Sequence, residues 1–155
     1  MANTAKEIMT KEVIVVNEDM KIINLIELLS EKRISGAPVV NKDNKLVGIV
    51  TKSDLLGSFI DYDIDVNISF SLRDVLGFED AEKPPEKVLV HEFQVKEIMS
   101  TNLITATGDT PIEKLAEMMI DSGIHRIIIV DQDRISGIVS TYDMLYHLCG
   151  EKKNG

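Results

Sequence analysis

Gly48-Ile-Val-Thr-Lys-Ser-Asp54 recurs as Gly137-Ile-Val-Ser-Thr-Tyr-Asp143, and this doubled stretch decides how the chain is read. Upstream of each copy, Ile34–Val40 (ISGAPVV) aligns with Ile124–Val130 (IHRIIIV). Further back, Lys6-Glu-Ile-Met9 aligns with Lys96-Glu-Ile-Met99. The spacing between copies is nearly constant. It shifts by one residue between Asn41–Lys45 and Asp131–Arg134, polar segments in which a turn absorbs the difference. Three blocks in the same order at one spacing define an internal repeat.

The hydrophobic pattern is the same in both copies. Val13–Val16 is a short β-branched run, as in a buried strand. Ile22, Ile23, Leu25, Ile26 and Leu29 recur at helical spacing, with Glu27, Glu31 and Lys32 on the opposite side. Val39-Val40 and Leu46–Val50 flank a polar turn and predict a hairpin, and Ser53–Phe59 predicts a second helix with Asp54 in its first turn. The second copy predicts a strand near Leu103–Thr105, a helix, strands Ile127–Val130 and Ile135–Ser140, and a helix Tyr142–Leu148. Thr110, Pro111 and Glu113 predict a capping box with Thr110 as N-cap. The fold class is therefore α+β (α/β-like), two β-α-β-β-α repeats. Units this small bury too little apolar surface alone, so the copies are expected to pack together. The expected division is repeat 1 at 1–60, an insertion at 61–94, repeat 2 at 95–149 and a solvated tail at 150–155. The insertion carries Pro84-Pro85 and an acidic stretch at Glu79–Glu82, and Phe70–Phe78 reads as a short helix.

The net charge of −9 argues against unspecific binding to nucleic acid or anionic membrane, since both need a basic surface. It leaves room for a small anionic ligand held by a local cation. Cys149 is the one cysteine, so no intramolecular disulfide forms, which suits a reducing compartment. No apolar run approaches a membrane span and no signal peptide is apparent, so a cytoplasmic location is expected.

The constellation resembles the CBS (cystathionine β-synthase) domain family, whose recognisable element is Gly-hydrophobic-x-Thr/Ser-x-x-Asp leading from the last strand into the second helix. Here it stands as Gly48…Thr51…Asp54 and Gly137…Ser140…Asp143. The resemblance implies a tandem pair, a Bateman module in pseudo-two-fold symmetry, that binds AMP, ADP or ATP as a regulatory ligand and dimerises. It further implies two unequal sites. Site A takes ribose and phosphate contacts from His125, Arg126, Ser140 and Asp143, with the base near Thr10, Ile14, Ile34, Gly36 and Pro38. Site B takes Thr51, Lys52 and Asp54, with Ser100, Ile104 and Ile124 around the base. At the positions matching His125-Arg126 it has Ser35-Gly36, so its phosphate cation is missing unless Lys52 substitutes. Ile127-Ile128 stands where the first copy has Ala37-Pro38, which alters the base pocket of site B.

The chemistry is plain without the family. A carboxylate in a helix's first turn can accept hydrogen bonds from both ribose hydroxyls, and an Arg fork suits phosphate. Thr51 and Ser140 equally suit N-caps, Asp54 and Asp143 suit the helix dipole, and Arg126 suits a pairing with an acid. His91, His125 and His147 share no metal-ligand spacing, and no nucleotide-binding loop or nucleophile elbow is present. The expectation is a non-enzymatic adenine-nucleotide sensor, a homodimer through the second helices (Leu55, Leu56, Phe59, Met144, Leu145, Leu148), signalling to a regulated protein. It has no catalytic cofactor and no metal. The alternatives are a dimerisation module that has lost its ligand, or binding of S-adenosylmethionine, NAD or a cyclic dinucleotide.

Overall fold

The computed structural model describes residues 3–61 and 93–150, and the side chains of Phe59–Asp61 lie outside it. Phe70–Phe78, Pro84-Pro85 and His91 lie outside the described residues. Two compact units cut across the repeats: unit 1 joins Met1–Val13 to Ile104–Gly155, and unit 2 is Ile14–Leu103.

Unit 2 contains β1 (Val16–Asn17), α2 (Ile22–Glu31), β2 (Gly36–Val40), β3 (Leu46–Thr51), α3 (Lys52–Asp61) and the one-turn helix α4 (Val95–Ile98). Its sheet has the order β1-β2-β3, with β1 parallel to β2 and β2 antiparallel to β3. Unit 1 is built the same way from α1 (Ala5–Ile8), β4 (Thr105–Ala106), α5 (Ile112–Ser122), β5 (Arg126–Asp131), β6 (Arg134–Ser140) and α6 (Thr141–Leu148). Each unit therefore has a three-stranded sheet with helices, the mixed α+β class expected. The first strands are shorter and later than the β-branched runs suggested. Only Val16 and Asn17 reach a β2 partner, and only Thr105 and Ala106 reach β5.

The helix faces follow the periodicity. Ile22, Leu25, Ile26 and Leu29 of α2 are buried with Val39, Val50 and Leu55; Leu115 and Met119 of α5 are buried with Ile127, Ile129 and Val139. Helix ends differ from expectation at Thr110. The N-cap of α5 is Pro111, in an extended conformation with no side-chain cap bond. The Thr110 hydroxyl instead accepts from the Thr107 amide at 3.1 Å. The first helical amide of α5, Ile112 N–H, donates to the carbonyl of Asn3, and in unit 2 Ile22 N–H donates to the carbonyl of Phe93. Backbone from a distant segment thus satisfies donors that a side-chain cap usually satisfies.

Those segments are the two Lys-Glu-Ile-Met stretches, and each docks on the sheet of the other repeat. Thr10 exchanges two backbone hydrogen bonds with Ile138 on the outer edge of β6 (2.9 and 3.0 Å), and Ser100 does the same with Ile49 on β3 (2.9 and 3.0 Å). Ala5 and Val95 are fully buried, and Lys6 and Lys96 bond Asp109 and Asp19 at 2.5 and 2.7 Å. Sheet edges that would otherwise present unpaired backbone are partly covered this way.

Candidate functional site

The glycine of the doubled motif explains why the segments dock there. A Cβ on Gly48 would lie 2.7 Å from Met99 Sδ and 2.9 Å from the Ser100 carbonyl. A Cβ on Gly137 would meet Met9, with Cγ at 2.8 Å. Each glycine leaves a notch that one methionine fills. The function of this glycine is packing, and it brings residue 10 or 100 beside the strand that carries the motif's hydroxyl.

Three residues beyond each notch the strand turns into a helix, and the motif's polar residues form a capping box. In unit 1, Asp143 Oδ2 accepts from Ser140 N–H and Ser140 Oγ, both at 2.7 Å, while Ser140 Oγ accepts from Asp143 N–H at 3.3 Å. In unit 2, Asp54 Oδ2 accepts from Thr51 N–H at 2.7 Å and from Thr51 Oγ1 at 3.0 Å, and Asp54 N–H donates to Thr51 Oγ1 at 3.3 Å. The capping reading is realised in both copies. It holds the carboxylate at the positive end of a helix and fixes its orientation. Asp143 is 4% exposed and Asp54 is half-buried.

The neighbouring strand supplies different side chains to equivalent frames. Arg126 lies opposite Ser140 in the β5–β6 register, and Gly36 lies opposite Thr51 in β2–β3. The His125 carbonyl accepts from Thr141 N–H at 3.0 Å and from Thr141 Oγ1 at 3.3 Å; the Ser35 carbonyl accepts from Lys52 N–H at 2.9 Å. Thr10, His125, Arg126, Ser140 and Asp143 are therefore gathered in unit 1, and Ser100, Thr51, Lys52 and Asp54 in unit 2. Of the other candidates, Ile14, Ile34, Gly36 and Pro38 belong to unit 2, and Ile104 and Ile124 to unit 1.

Unit 1 also has a groove of about 760 Å³ along α5 and α6, lined by apolar residues such as Ile112, Met119 and Met144, with Asn3, Glu113, His125, Thr141 and His147 among its polar members. Ile120 (79% exposed) and Leu148 (80%) project from the same two helices. Of the residues expected on a dimer face, Leu55 and Met144 are buried in their own units, whereas Leu56, Leu145 and Leu148 are exposed. Leu55 and Met144 are one residue out of phase with the solvent face of their helices. Cys149 is exposed. Among the described residues, no helix is long and apolar enough to cross a membrane, and no three His, Cys, Asp or Glu side chains gather as a metal set.

Two sheets of one design, each ending in a capped Ser/Thr-x-x-Asp helix, define a tandem repeat of a single domain type. The chain belongs to the CBS domain family, which it matches over residues 5–61 and 95–150. It is 34% identical over 150 residues to the uncharacterized protein MJ1426 of Methanocaldococcus jannaschii, covering 90% of this chain and 88% of that one. It is 30% identical over 142 residues to the inosine-5'-monophosphate dehydrogenase of the same organism, covering 91% of this chain but only 23% of the enzyme. The CBS domain pair of protein MJ0100, solved in complex with 5'-methylthioadenosine and S-adenosyl-L-methionine, shares the fold. Its TM-score is 0.74 at 24% identity, over 97% of this chain and 98% of that chain.

Proposed function

We propose that this chain is a regulatory module that binds an adenosyl ligand at the Ser140–Asp143 cap and passes its bound state to a partner protein. The observation that carries the reading is a buried, pre-oriented carboxylate next to a strand whose facing residue is Arg126. A ribose would be read by the Asp143 carboxylate, which the cap already orients. Arg126 and His125 supply the cation and imidazole on the phosphate side, and Thr10 adds its position beside β6. An arginine at that place favours AMP, ADP or ATP over a sulfonium ligand, whose positive charge it repels. Thr51, Lys52 and Asp54 form the weaker site, with the cation on the helix rather than on the strand. The ligand acts by differential affinity for two conformations, and the module itself carries out no reaction. We place it in the cytoplasm, as a homodimer through the α5–α6 face, where exposed Ile120, Leu145 and Leu148 surround the groove. Light scattering at micromolar concentration should then give twice the 17.3 kDa chain mass.

Arg126→Ala tests the reading. It should weaken AMP or ADP binding by roughly tenfold to a hundredfold, the worth of a charge-assisted contact of about 1.5–3 kcal/mol, and leave adenosine nearly unchanged. Added salt should weaken AMP binding to the unmodified chain. Parallel losses for AMP and adenosine, together with a lower melting temperature, remove Arg126 from the site. A second reading, S-adenosylmethionine as ligand, is favoured by the ligands of the MJ0100 domain pair. It predicts that a thermal-shift screen of AMP, ADP, ATP, NAD and S-adenosylmethionine responds to the last alone. No response to any of them supports a dimerisation module without a ligand.

A further inference from the structure

The two docked segments are alike because each position meets the same kind of partner in its dock. Residues 6–9 and 96–99 are identical, including two exposed charged residues that a core does not constrain. Each position has the same task in both units. Lys6 and Lys96 bond an aspartate on the receiving unit, and Glu7 and Glu97 reach back to the N-cap amides of Thr4 and Gln94 at 3.3 and 2.7 Å. Met9 and Met99 fill the glycine notches. The backbone repeats as well: Ala5 N–H donates to the Thr110 carbonyl and Lys6 N–H to that of Gly108, while Val95 N–H donates to Met20 and Lys96 N–H to Glu18. Each sheet edge, together with the loop before the long helix, therefore reads a short Lys-Glu-Ile-Met segment, and reads it without help from sequence proximity. Lys6 and its partner Asp109 are 103 residues apart.

We infer that the β6 edge of unit 1, with the Gly137 notch, is a docking site that accepts the segment Asn3–Thr10 from a second copy of this chain, by reciprocal exchange. The occupant is set by the side chains the site reads, and a second copy presents all of them. The exchange replaces every contact by an identical one, which is why swapping of this kind costs little. The stretch that would hinge is Lys11–Val15. Lys11, Glu12 and Val15 are exposed, and none of the five residues lies in a helix or strand. Unit 1 also has the weaker clasp, since its buried anchor is Ala5 where unit 2 has the larger Val95.

Two complementary full-length variants test this. Gly137→Val blocks the notch but keeps an intact segment; Met9→Glu disables the segment but keeps an open notch. In the nitrogen-15-labelled Met9→Glu chain, the Ile138 amide, which donates to Thr10 at 3.0 Å, should exchange fast. Adding the unlabelled Gly137→Val chain at several hundred micromolar should slow that exchange at least tenfold. The double variant, which has neither a usable segment nor a notch, should leave it unchanged. No slowing by Gly137→Val overturns the inference, and so does equal slowing by the double variant, because association through another face would then explain it. If either variant fails to fold, a synthetic peptide of residues 3–12 added to labelled Met9→Ala gives the same two outcomes. A peptide carrying the Met9→Glu change is then the control.

Discussion

The two units share one frame and differ at the positions that face it. Notch glycine, docked methionine, capping box and strand register are superimposable in kind. Yet Arg126 stands where unit 2 has Gly36, Thr141 where it has Lys52, and Asp131 where it has Asn41. The helix faces diverge too: Ile120, Tyr142 and Tyr146 correspond to Ser30, Ser53 and Gly57. The conserved part of the frame is what folding needs, and the varied part is where a ligand, a second subunit or a proton can tell the units apart.

The largest expected effect tests the sameness. Leu25 and Leu115 occupy equivalent, fully buried helix positions. Leu25→Ala and Leu115→Ala should each cost about 2–5 kcal/mol in urea unfolding. A gap above roughly 2 kcal/mol between them would mean that the cores are not equivalent despite their common pattern. Next, Asp143→Ala should weaken adenosyl-ligand binding by about 1.5–3 kcal/mol and Asp54→Ala by far less, measured by calorimetry. Equal losses would erase the ranking of the two sites.

A smaller effect comes from the ends of the first long helices. Unit 1 ends α5 with Gly123 at φ 62°, and unit 2 places Arg33 at φ 52° in the same role. In each, the next residue's amide reaches back into the last turn, Ile124 to Met119 and Ile34 to Leu29. Gly123→Ala should cost roughly 1 kcal/mol, and Arg33→Gly should raise stability by up to about 1 kcal/mol, because only glycine takes this conformation without a steric penalty. Thermal melts of both would decide it, and a loss from Arg33→Gly would show that the Arg33 side chain contributes more than its backbone costs.

The smallest effect depends on acid. The Ser136 hydroxyl at 2.6 Å and the Gly108 amide at 3.0 Å hold the Asp131 carboxyl below its ordinary range. Its stabilisation is therefore present above the usual carboxylate pKa and fades as pH falls through the lower, folded value. Asn41 takes the corresponding place in unit 2 by accepting from the amides of Asp43 and Lys45, and it does not titrate in this range. As pH falls below the ordinary carboxylate range and through the lowered folded value, the Gly108 amide should lose protection while those of Asp43 and Lys45 keep theirs. Asp131→Asn should remove the difference in pH dependence.

Much of this was legible because it is local. Helix faces such as Leu25 and Leu29, both hairpins, and the Ser140–Asp143 turn follow from periodicity and from residue types whose side chains reach their own backbone. The misread cap at Thr110 shows where local reading ends. The Ile112 amide that a Thr110 cap would satisfy is instead bound by the carbonyl of Asn3, more than a hundred residues away in sequence. The exchange of segments was invisible for the same reason, since no period reports which sheet a stretch will join. One signal did point to it: glycines at 48 and 137 inside strands mark close approach by another part of the chain. The gathering of Arg126 opposite Ser140 needed the β5–β6 register, which a bulge between Ile129 and Val130 shifts.

Exchange of the segments also constrains how the protein comes off the ribosome. Lys6 is made long before Asp109, 103 residues later, and at roughly 5–20 residues per second the first segment waits about 5–20 s for its dock. During that interval Met9 and its neighbours have no native partner in the nascent chain. Unit 2 needs only residues up to Leu103 and can close first. The order of completion is thus opposite to the order in which the two Lys-Glu-Ile-Met segments are synthesised: the segment made second is housed first.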